Sequence, residues 1–115
     1  MDRYLLKCKD ISEPIGALYV DFDNDKFNID INERYDGPLP GFILHVDAPM
    51  PINERIKLWI LERAPEPNYE FIDALIEKAG LVEYDAYGFF KYNNGQFITD
   101  KYYVELQEEV IMLNG

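Results

Sequence analysis

Three aspartates at alternate positions are the first residues in the sequence that could do chemistry. Asp21, Asp23 and Asp25 stand at i, i+2 and i+4, which is the spacing of the first three ligands in a calcium-binding loop. The rest of that pattern is missing, because Lys26 occupies the place of the required glycine and Asn32 that of the bidentate glutamate. We therefore expect carboxylates that favour a turn and solubilise it, and no metal.

Nucleophilic catalysis has few groups to use. The chain has a single serine, threonine, cysteine and histidine, so Cys8 with His45 is the only conceivable pair of nucleophile and base. Both lie in predicted strands, where a lone thiol is typically a buried apolar group and a lone histidine a sheet residue. Zinc-binding spacings and phosphate-binding glycine motifs are absent from the sequence, and the carboxylates are too numerous for any pair to stand out. We expect no catalytic residue and no cofactor.

The charge balance limits the kinds of partner. The chain has 115 residues and a formal net charge of −11, and residues 10–50 alone hold nine acidic side chains against two basic ones. Direct binding to DNA or RNA is not expected, because it depends on lysines and arginines that displace counterions from phosphates. A basic protein surface would be attracted instead, although acidic solubility also explains such a balance.

The compartment is indicated by what the sequence lacks. The longest apolar runs are far shorter than the roughly 20 residues of a bilayer-spanning helix, and the first residues lead into no signal core. The single cysteine, Cys8, cannot form an intramolecular disulfide, which fits a reducing compartment. We expect a cytoplasmic protein that does not bind membranes, and the sequence leaves its oligomeric state open.

Five segments have the composition of strands. Residues 4–9 and 15–22 are apolar and β-favouring, and in 27–31 phenylalanine and isoleucines alternate strictly with asparagine and aspartate, which is typical of a strand with one buried side. These three segments predict a β-meander. A further strand is predicted at 42–46 and a last one at 97–106.

Helical periodicity begins after Pro51. In 52–64 the apolar residues, Trp59 among them, fall on one face together with Arg63. In 68–80 they recur at i, i+3, i+4 and i+7 before the terminating Gly80, and 84–92 can add a short helix.

The order of these elements predicts one α+β domain over 1–115. Its core would be a mostly antiparallel sheet of four to five strands, with two to three helices packed on one face. The strands would lie mainly within 3–48 and 97–106, and the helices mainly within 52–64 and 68–80.

Aromatic residues are concentrated near the end of the chain. Eight rings fall within twenty residues: Tyr84, Tyr87, Phe89, Phe90, Tyr92, Phe97, Tyr102 and Tyr103. They either seal one end of a small core or leave some rings exposed as a contact surface. The residues after them, 110–113, are apolar behind two glutamates and would seek a partner if they do not fold back.

Four further motifs cover most of the chain. They are a strand pair before an acidic turn at 5–32, a Trp-x-x-x-Arg-x-Pro helix end at 59–65, a Gly-Leu helix stop at 80–81, and Ile-Thr-Asp-Lys-Tyr-Tyr at 98–103. Together they resemble a group of short bacterial proteins found beside, or fused to, HipA-like toxin kinases. Tyr103 stands where that group's closing motif has Trp. The resemblance implies a non-catalytic accessory or regulatory domain and carries over no catalytic residue.

The leading hypothesis is a small acidic protein-binding module that regulates or inhibits a partner protein. Its contact surface would be either the acidic sheet face or the aromatic C-terminal patch. The expected contact residues are Asp21, Asp23, Asp25 and Asp30, for electrostatic steering, with Tyr102 and Tyr103 as anchors.

The alternative is a phage-type inhibitor that mimics DNA, in the manner of anti-CRISPR proteins, and occupies the basic nucleic-acid channel of a nuclease or repressor. Residues i and i+2 of a strand lie about 6.6 to 7 Å apart, close to the phosphate repeat along one DNA strand.

Overall fold

The computed structural model describes residues 1–44 and 49–107. In chain order its elements are β1 (Asp2–Cys8), β2 (Gly16–Asp21), β3 (Lys26–Ile31), α1 (Gly41–Leu44), α2 (Ile52–Glu62), α3 (Ile72–Lys78), α4 (Ala86–Tyr92) and β4 (Tyr102–Leu106). Three strands come first, the helices follow, and the last strand returns to the sheet. In the described ranges none of the helices combines the length and apolar character needed to cross a bilayer.

The strands of the described residues form one antiparallel sheet in the order β3-β2-β1-β4. β1 pairs with β2 on one side and with β4 on the other, so the first strand of the chain lies inside the sheet and the last strand forms one of its edges. The helices pack on one face of this sheet. The α+β class is therefore confirmed, with four helices in the described ranges where two to three were predicted.

Period-two alternation sends every second strand residue into the core. The buried residues from the strands are Tyr4, Leu6, Cys8, Leu18, Val20, Phe27 and Val104, and those from the helices include Phe42, Ile56, Trp59, Ile60 and Phe90. The opposite face of the sheet is not covered by any described element.

Gly16 is required where β2 and β3 approach each other. A Cβ at this position would collide with the carbonyl oxygen of Asp30. This oxygen belongs to the backbone of β3 and cannot move aside as a flexible side chain could. Any other amino acid at position 16 would therefore force the two strands apart.

The predicted strand at 42–46 is wrong for the residues that the structure describes, since Gly41–Leu44 is a short helix. Pro40 initiates it, because its carbonyl oxygen accepts hydrogen bonds from the N–H groups of Ile43 and Leu44 at 3.0 and 3.2 Å. Phe42 is buried against Trp59, with ring centres 5.1 Å apart. Local β-propensity was outweighed by this contact. Residues 45 and 46 lie outside the described residues.

Two other predicted elements are shorter in the structure. Residues 66–71 form turns, with the Tyr69 N–H donating to the Glu66 carbonyl at 3.0 Å, so the helix predicted from 68 begins at Ile72. The strand predicted from 97 begins at Tyr102, because residues 97–101 form the loop that surrounds Arg63. The predicted apolar tail at 110–113 lies outside the described residues.

Candidate functional site

Arg63 is the one charged residue among the buried side chains of the described ranges, with 6% exposure. It directly follows α2 on the helix face that also buries Trp59 and Ile60. Its Nε donates to the carbonyl oxygen of Gly95, and the guanidinium carbon lies 4.3 Å from the centre of the Trp59 ring and 5.5 Å from that of Phe97. Stacking and hydrogen bonding together hold the buried cation in place.

Asp100 neutralises Arg63 in a two-pronged contact. The Nη1 and Nη2 groups of Arg63 donate to Oδ2 and Oδ1 of the carboxylate at 2.8 and 2.6 Å. Burial works to raise the pKa of Asp100, but the hydrogen bonds from Arg63 and from the Tyr102 N–H favour the charged form, and on balance its pKa is lowered. The pair is charge-neutral, with Arg63 buried and the Asp100 side chain 29% exposed.

The same pair occupies the start of the free edge of β4. The Tyr102 N–H donates to Asp100 Oδ1 at 3.0 Å, and the Tyr102 carbonyl accepts from Arg63 Nη2 at 3.0 Å. The Val104 N–H donates to the Asn94 carbonyl at 2.8 Å. Backbone groups that would otherwise stand open at the sheet edge are thus satisfied from within the chain.

A groove of about 560 Å³ opens beside Arg63, and we call it the Trp59 groove. Its lining consists of Pro40, Gly41, Phe42, Pro49, Met50, Arg55, Leu58, Trp59, Glu62, Arg63, Phe97, Thr99, Asp100 and Tyr102. Most of these groups are apolar, and three large ones, Met50, Leu58 and Phe97, are substantially exposed. The groove therefore offers an apolar surface with a rigid, charge-neutral floor.

A second groove of about 320 Å³ lies between α3 and α4 and is also bordered by Phe97. Leu75, Phe89 and Ile98 are among its lining residues. Ile98 is 94% exposed and Phe97 is 38% exposed. We call residues 97 and 98 the Phe97–Ile98 ridge, since Phe97 lines both grooves and Ile98 the second.

The two central charges of this site are paired within the chain. Arg63 and Asp100 bind each other, so neither presents a free charge to a ligand. Over residues 1–44 and 49–107, no group of three or more histidine, cysteine, aspartate or glutamate side chains is arranged to hold a metal ion. Exposed apolar and aromatic groups beside a groove are typical of protein contacts.

The four aspartates predicted as a contact surface do not share one surface. Asp21 and Asp30 lie on the outer sheet face, near opposite ends of the β2–β3 ladder. Asp23 and Asp25 lie in the turn between these strands. Asp25, with a φ of 53°, binds Lys57 Nζ of α2 at 2.6 Å, so this carboxylate fastens the turn to the helical layer.

Basic side chains are interspersed with the acidic ones on the outer sheet face. Lys26 lies directly across from Asp21, and Lys7 is 3.4 Å from Glu105. The Asn24 amide donates to Asp21 at 2.9 Å, and this hydrogen bond is the main cause of the lowered pKa of Asp21. The face is mixed in charge and does not form a continuous acidic patch.

Tyr102 and Tyr103 point to opposite faces of the sheet, as neighbours in a strand must. Tyr102 packs against the core beside Cys8 and lines the Trp59 groove. Tyr103 faces outward, across from Lys7. The two predicted anchors cannot therefore contact one flat partner surface together.

The aromatic cluster is divided between core and surface. Phe89 and Phe90 are buried, and Tyr87 and Tyr102 pack against the core. The exposed members include Tyr92 and Phe97, and both line the second groove. Part of the cluster therefore belongs to the core, and a contact role for its exposed rings stays a prediction.

A network of tyrosines and a carboxylate closes the other end of the core. The Tyr87 hydroxyl donates to Asp2 Oδ2 at 2.5 Å and lies 2.6 Å from the Tyr4 hydroxyl. Burial is the main cause that raises the pKa of Tyr4 to about 12, and burial followed by the Asp2 hydrogen bond raises that of Tyr87. Phe22 stacks on Tyr87 with ring centres 5.0 Å apart.

Cys8 is 1% exposed and belongs to the hydrophobic core. Its environment is that of a small apolar residue. His45, the base considered for it, lies outside the described residues.

The pairing of Arg63 with Asp100 was missed from the sequence, although one signal for it was visible. Arg63 falls on the apolar face of α2, next to Ile60 and one turn after Trp59, where a charged residue needs a buried partner. The partner lies 37 positions further along the chain, and no spacing rule links two such residues.

No family model, curated protein or solved structure matches this chain. The resemblance to proteins that accompany HipA-like kinases therefore stays a prediction.

Proposed function

We propose that this chain is a non-catalytic, cytoplasmic protein-binding module that regulates or inhibits a partner protein through the Phe97–Ile98 ridge and the grooves beside it. The observation that carries the proposal is the side chain of Ile98, which is 94% exposed at the border of the second groove. Burying an apolar side chain lowers the free energy, and in this position it is buried only when another surface covers it.

The charge of the chain indicates what surrounds the contact on the partner. The net charge is −11, whereas the lining of the Trp59 groove itself balances Glu62 and Asp100 with Arg55 and Arg63. A partner segment with an apolar side chain to enter the groove and basic residues around it would be complementary in both respects. Long-range attraction would then speed the encounter, and apolar burial would hold the complex.

Support for a non-catalytic role comes from the groups that line the Trp59 groove. The carboxylate of Asp100 is engaged by Arg63 and by backbone, and its lowered pKa makes it a weak base. Thr99 and Tyr102 are the hydroxyl side chains in the lining, and no histidine or cysteine stands among these residues to activate them.

The DNA-mimic alternative gains nothing from the open sheet face. Asp21 and Asp30 are far apart along the ladder there, with Lys26 directly across from Asp21. A row of carboxylates at phosphate spacing would require the same face without its cations.

Site-specific photo-crosslinking can identify the partner. A photoreactive phenylalanine analogue is placed at Ile98 in cells that naturally contain the chain, and a second version carries it at Val82, which is fully exposed and lines neither groove. We expect the same protein to be captured repeatedly from position 98 and not from position 82. Identical capture from both positions contradicts the proposal.

Binding and activity of the captured protein then complete the test. Ile98→Asp should weaken its binding by at least about tenfold, since it places a charge where an apolar contact is buried. Val82→Asp adds the same charge outside the grooves and should bind like the wild type. The partner's own activity should change when the wild-type chain is added. Binding by Ile98→Asp that equals the wild type's would remove the ridge from the proposal.

A further inference from the structure

β3 is an edge strand. One hydrogen bond shows which of its residues form the hydrogen-bonded pairs with β2 and which form the non-hydrogen-bonded pairs. The Asn32 N–H donates to the Ile15 carbonyl at 2.8 Å, directly beyond the last residues of the ladder. Hydrogen-bonded pairs alternate with non-bonded pairs in an antiparallel ladder. Lys26, Asn28 and Asp30 are therefore the residues that exchange hydrogen bonds with β2.

The backbone groups of Phe27, Ile29 and Ile31 consequently point away from the sheet. No described residue donates to them or accepts from them outside the β2 ladder. A groove of about 400 Å³, lined by Phe27 and by α2 residues such as Asn53 and Lys57, lies beside this strand. The edge of β3 therefore differs from the start of β4, where Arg63, Asp100 and Asn94 bind outward-pointing backbone groups of Tyr102 and Val104. An open edge of this kind is a template for another strand.

We propose that the edge of β3 pairs with β3 of a second copy of this chain. The two strands run antiparallel about a two-fold axis, with Asn28 facing Asn28 of the second copy. Phe27 and Ile29, whose N–H and C=O groups point outward, then exchange hydrogen bonds with Ile29 and Phe27 of the second copy. The two four-stranded sheets become one sheet of eight, and the contact is the same on both copies.

Charge complementarity selects this occupant and this register. Lys26 and Asp30 are both exposed on the outer face of β3, two positions either side of Asn28. The two-fold pairing therefore sets Lys26 across from Asp30 of the second copy, and Asp30 across from Lys26. These are non-hydrogen-bonded positions, where side chains are closest. Lys26 would then lie between two carboxylates, since Asp21 already flanks it within its own chain.

Other registers lose this match. Moving the strands by two residues keeps the hydrogen-bonding parity, but Lys26 then faces Asn28 or Asn32. Moving them by one residue sets outward-pointing backbone groups against groups that already bind β2. On the helical side the favoured register also brings Phe27 against Ile29 of the second copy, and apolar cross-strand pairs of this kind add stability.

A cysteine on the proposed axis tests the pairing directly. In Asn28→Cys the two thiols face each other at a non-hydrogen-bonded position, where the Cα separation of about 4.5 Å suits a disulfide. Tyr19→Cys is the matched control, because Tyr19 lies across from Asn28 on β2 and its two thiols would be roughly 14 Å apart across three strand spacings. In a glutathione redox buffer we expect a covalent dimer from Asn28→Cys and not from Tyr19→Cys, measured by non-reducing electrophoresis.

Charge reversal provides a second, independent measurement. Sedimentation velocity should give a dimer for the wild type. Lys26→Glu should raise the dissociation constant of the dimer about tenfold, because both ion pairs become repulsive. The double variant Lys26→Glu with Asp30→Lys should restore it. Lys7→Glu reverses a charge on the same outer face, but on β1, and its dimer should have the dissociation constant of the wild type.

A wild-type chain that stays monomeric at millimolar concentration overturns the proposal. Equal cross-linking of the two cysteine variants also overturns it, as does a double charge variant that fails to recover the dimer. A strand captured from a different protein in place of a second copy would have the same consequence.

Discussion

The guanidinium of Arg63 and the carboxylate of Asp100 meet through two parallel hydrogen bonds of 2.8 and 2.6 Å across 37 positions of the sequence. Because Arg63 also binds the carbonyls of Gly95 and Tyr102, this pair connects the end of α2 to the turn after α4 and to the first residue of β4. Three separate parts of the fold meet at one cation.

Arg63→Ala should therefore destabilise the protein by about 2 kcal/mol, since it removes the packing of the buried guanidinium and leaves the partly exposed Asp100 and two carbonyls without their donor. Arg63→Lys should recover only part of this loss, because an ammonium group cannot bind a carboxylate in two parallel contacts. The measurement is the free energy of unfolding in urea. Arg34→Ala removes an exposed arginine and should change it by less than about 0.5 kcal/mol. Equal losses for the two alanine variants would contradict the structural role of Arg63.

Asp100 should give the fold a dependence on acidic pH. Its pKa in the folded state is lowered, so the unfolded chain binds its proton more readily. The stabilisation is present above the unfolded pKa of about 3.9 and is lost as the pH falls through the folded value. Melting temperatures of the wild type should fall more steeply below pH 4 than those of Asp100→Asn, which has no charge to lose there. Parallel curves would contradict this assignment.

The tyrosine network should respond to alkaline pH. The folded pKa of Tyr4 is raised to about 12 and that of Tyr87 is raised as well, so the unfolded chain releases these protons first. The stabilisation is complete below the unfolded value of about 10 and is lost as the pH rises through the folded values.

The Tyr87→Phe variant tests this network. It should be about 1 kcal/mol less stable near neutral pH, because Asp2 and Tyr4 lose a hydrogen-bond partner. Above pH 10 its free energy of unfolding should fall less steeply than that of the wild type. Tyr92→Phe, at an exposed ring, should follow the wild-type curve.

Two glycines with positive φ separate backbone strain from packing. Gly80 and Gly95 have φ values of 72° and 66°, so alanine at either position costs roughly 1 to 2 kcal/mol of strain. A Cβ at Gly80 meets nothing within 4 Å, whereas one at Gly95 lies 2.9 Å from the Phe90 ring and 3.2 Å from Val104. Gly95→Ala should therefore lower the free energy of unfolding by more than Gly80→Ala, and a smaller loss at Gly95 would show that this turn is not packed against the core.

The sequence predicted the elements whose signal is local. Strict alternation in 27–31 gave β3, and the apolar face after Pro51 gave α2. At 42–44 the local signal failed, because Pro40 starts a helical turn and Phe42 packs on Trp59.

The candidate site was predictable only in part, because it depends on contacts between distant residues. Tyr92 and Phe97 were singled out as aromatic residues, but the grooves beside them are made by α2, α3 and α4 together. The composition shows correctly that the first strands are rich in acidic residues. Its distribution in space depends on register, which sets Lys26 across from Asp21, and a single strand contains no information about its neighbour's side chains.

The outward backbone groups of β3 have no partner in the described residues, whereas those at the start of β4 do. This difference affects the size of any assembly built by strand addition. Strand addition propagates into fibrils only when a molecule has two receptive sides. Here Arg63, Asp100 and Asn94 occupy the start of β4 with internal hydrogen bonds. Association through β3 would leave β4 as the outer strand, and its first residues, Tyr102 and Val104, already have partners for the outward N–H groups of both and for the Tyr102 carbonyl. Further growth at that end of β4 would have to break these hydrogen bonds. Arg63, which is buried for the stability of the fold, thus also occupies a backbone carbonyl that an added strand would need.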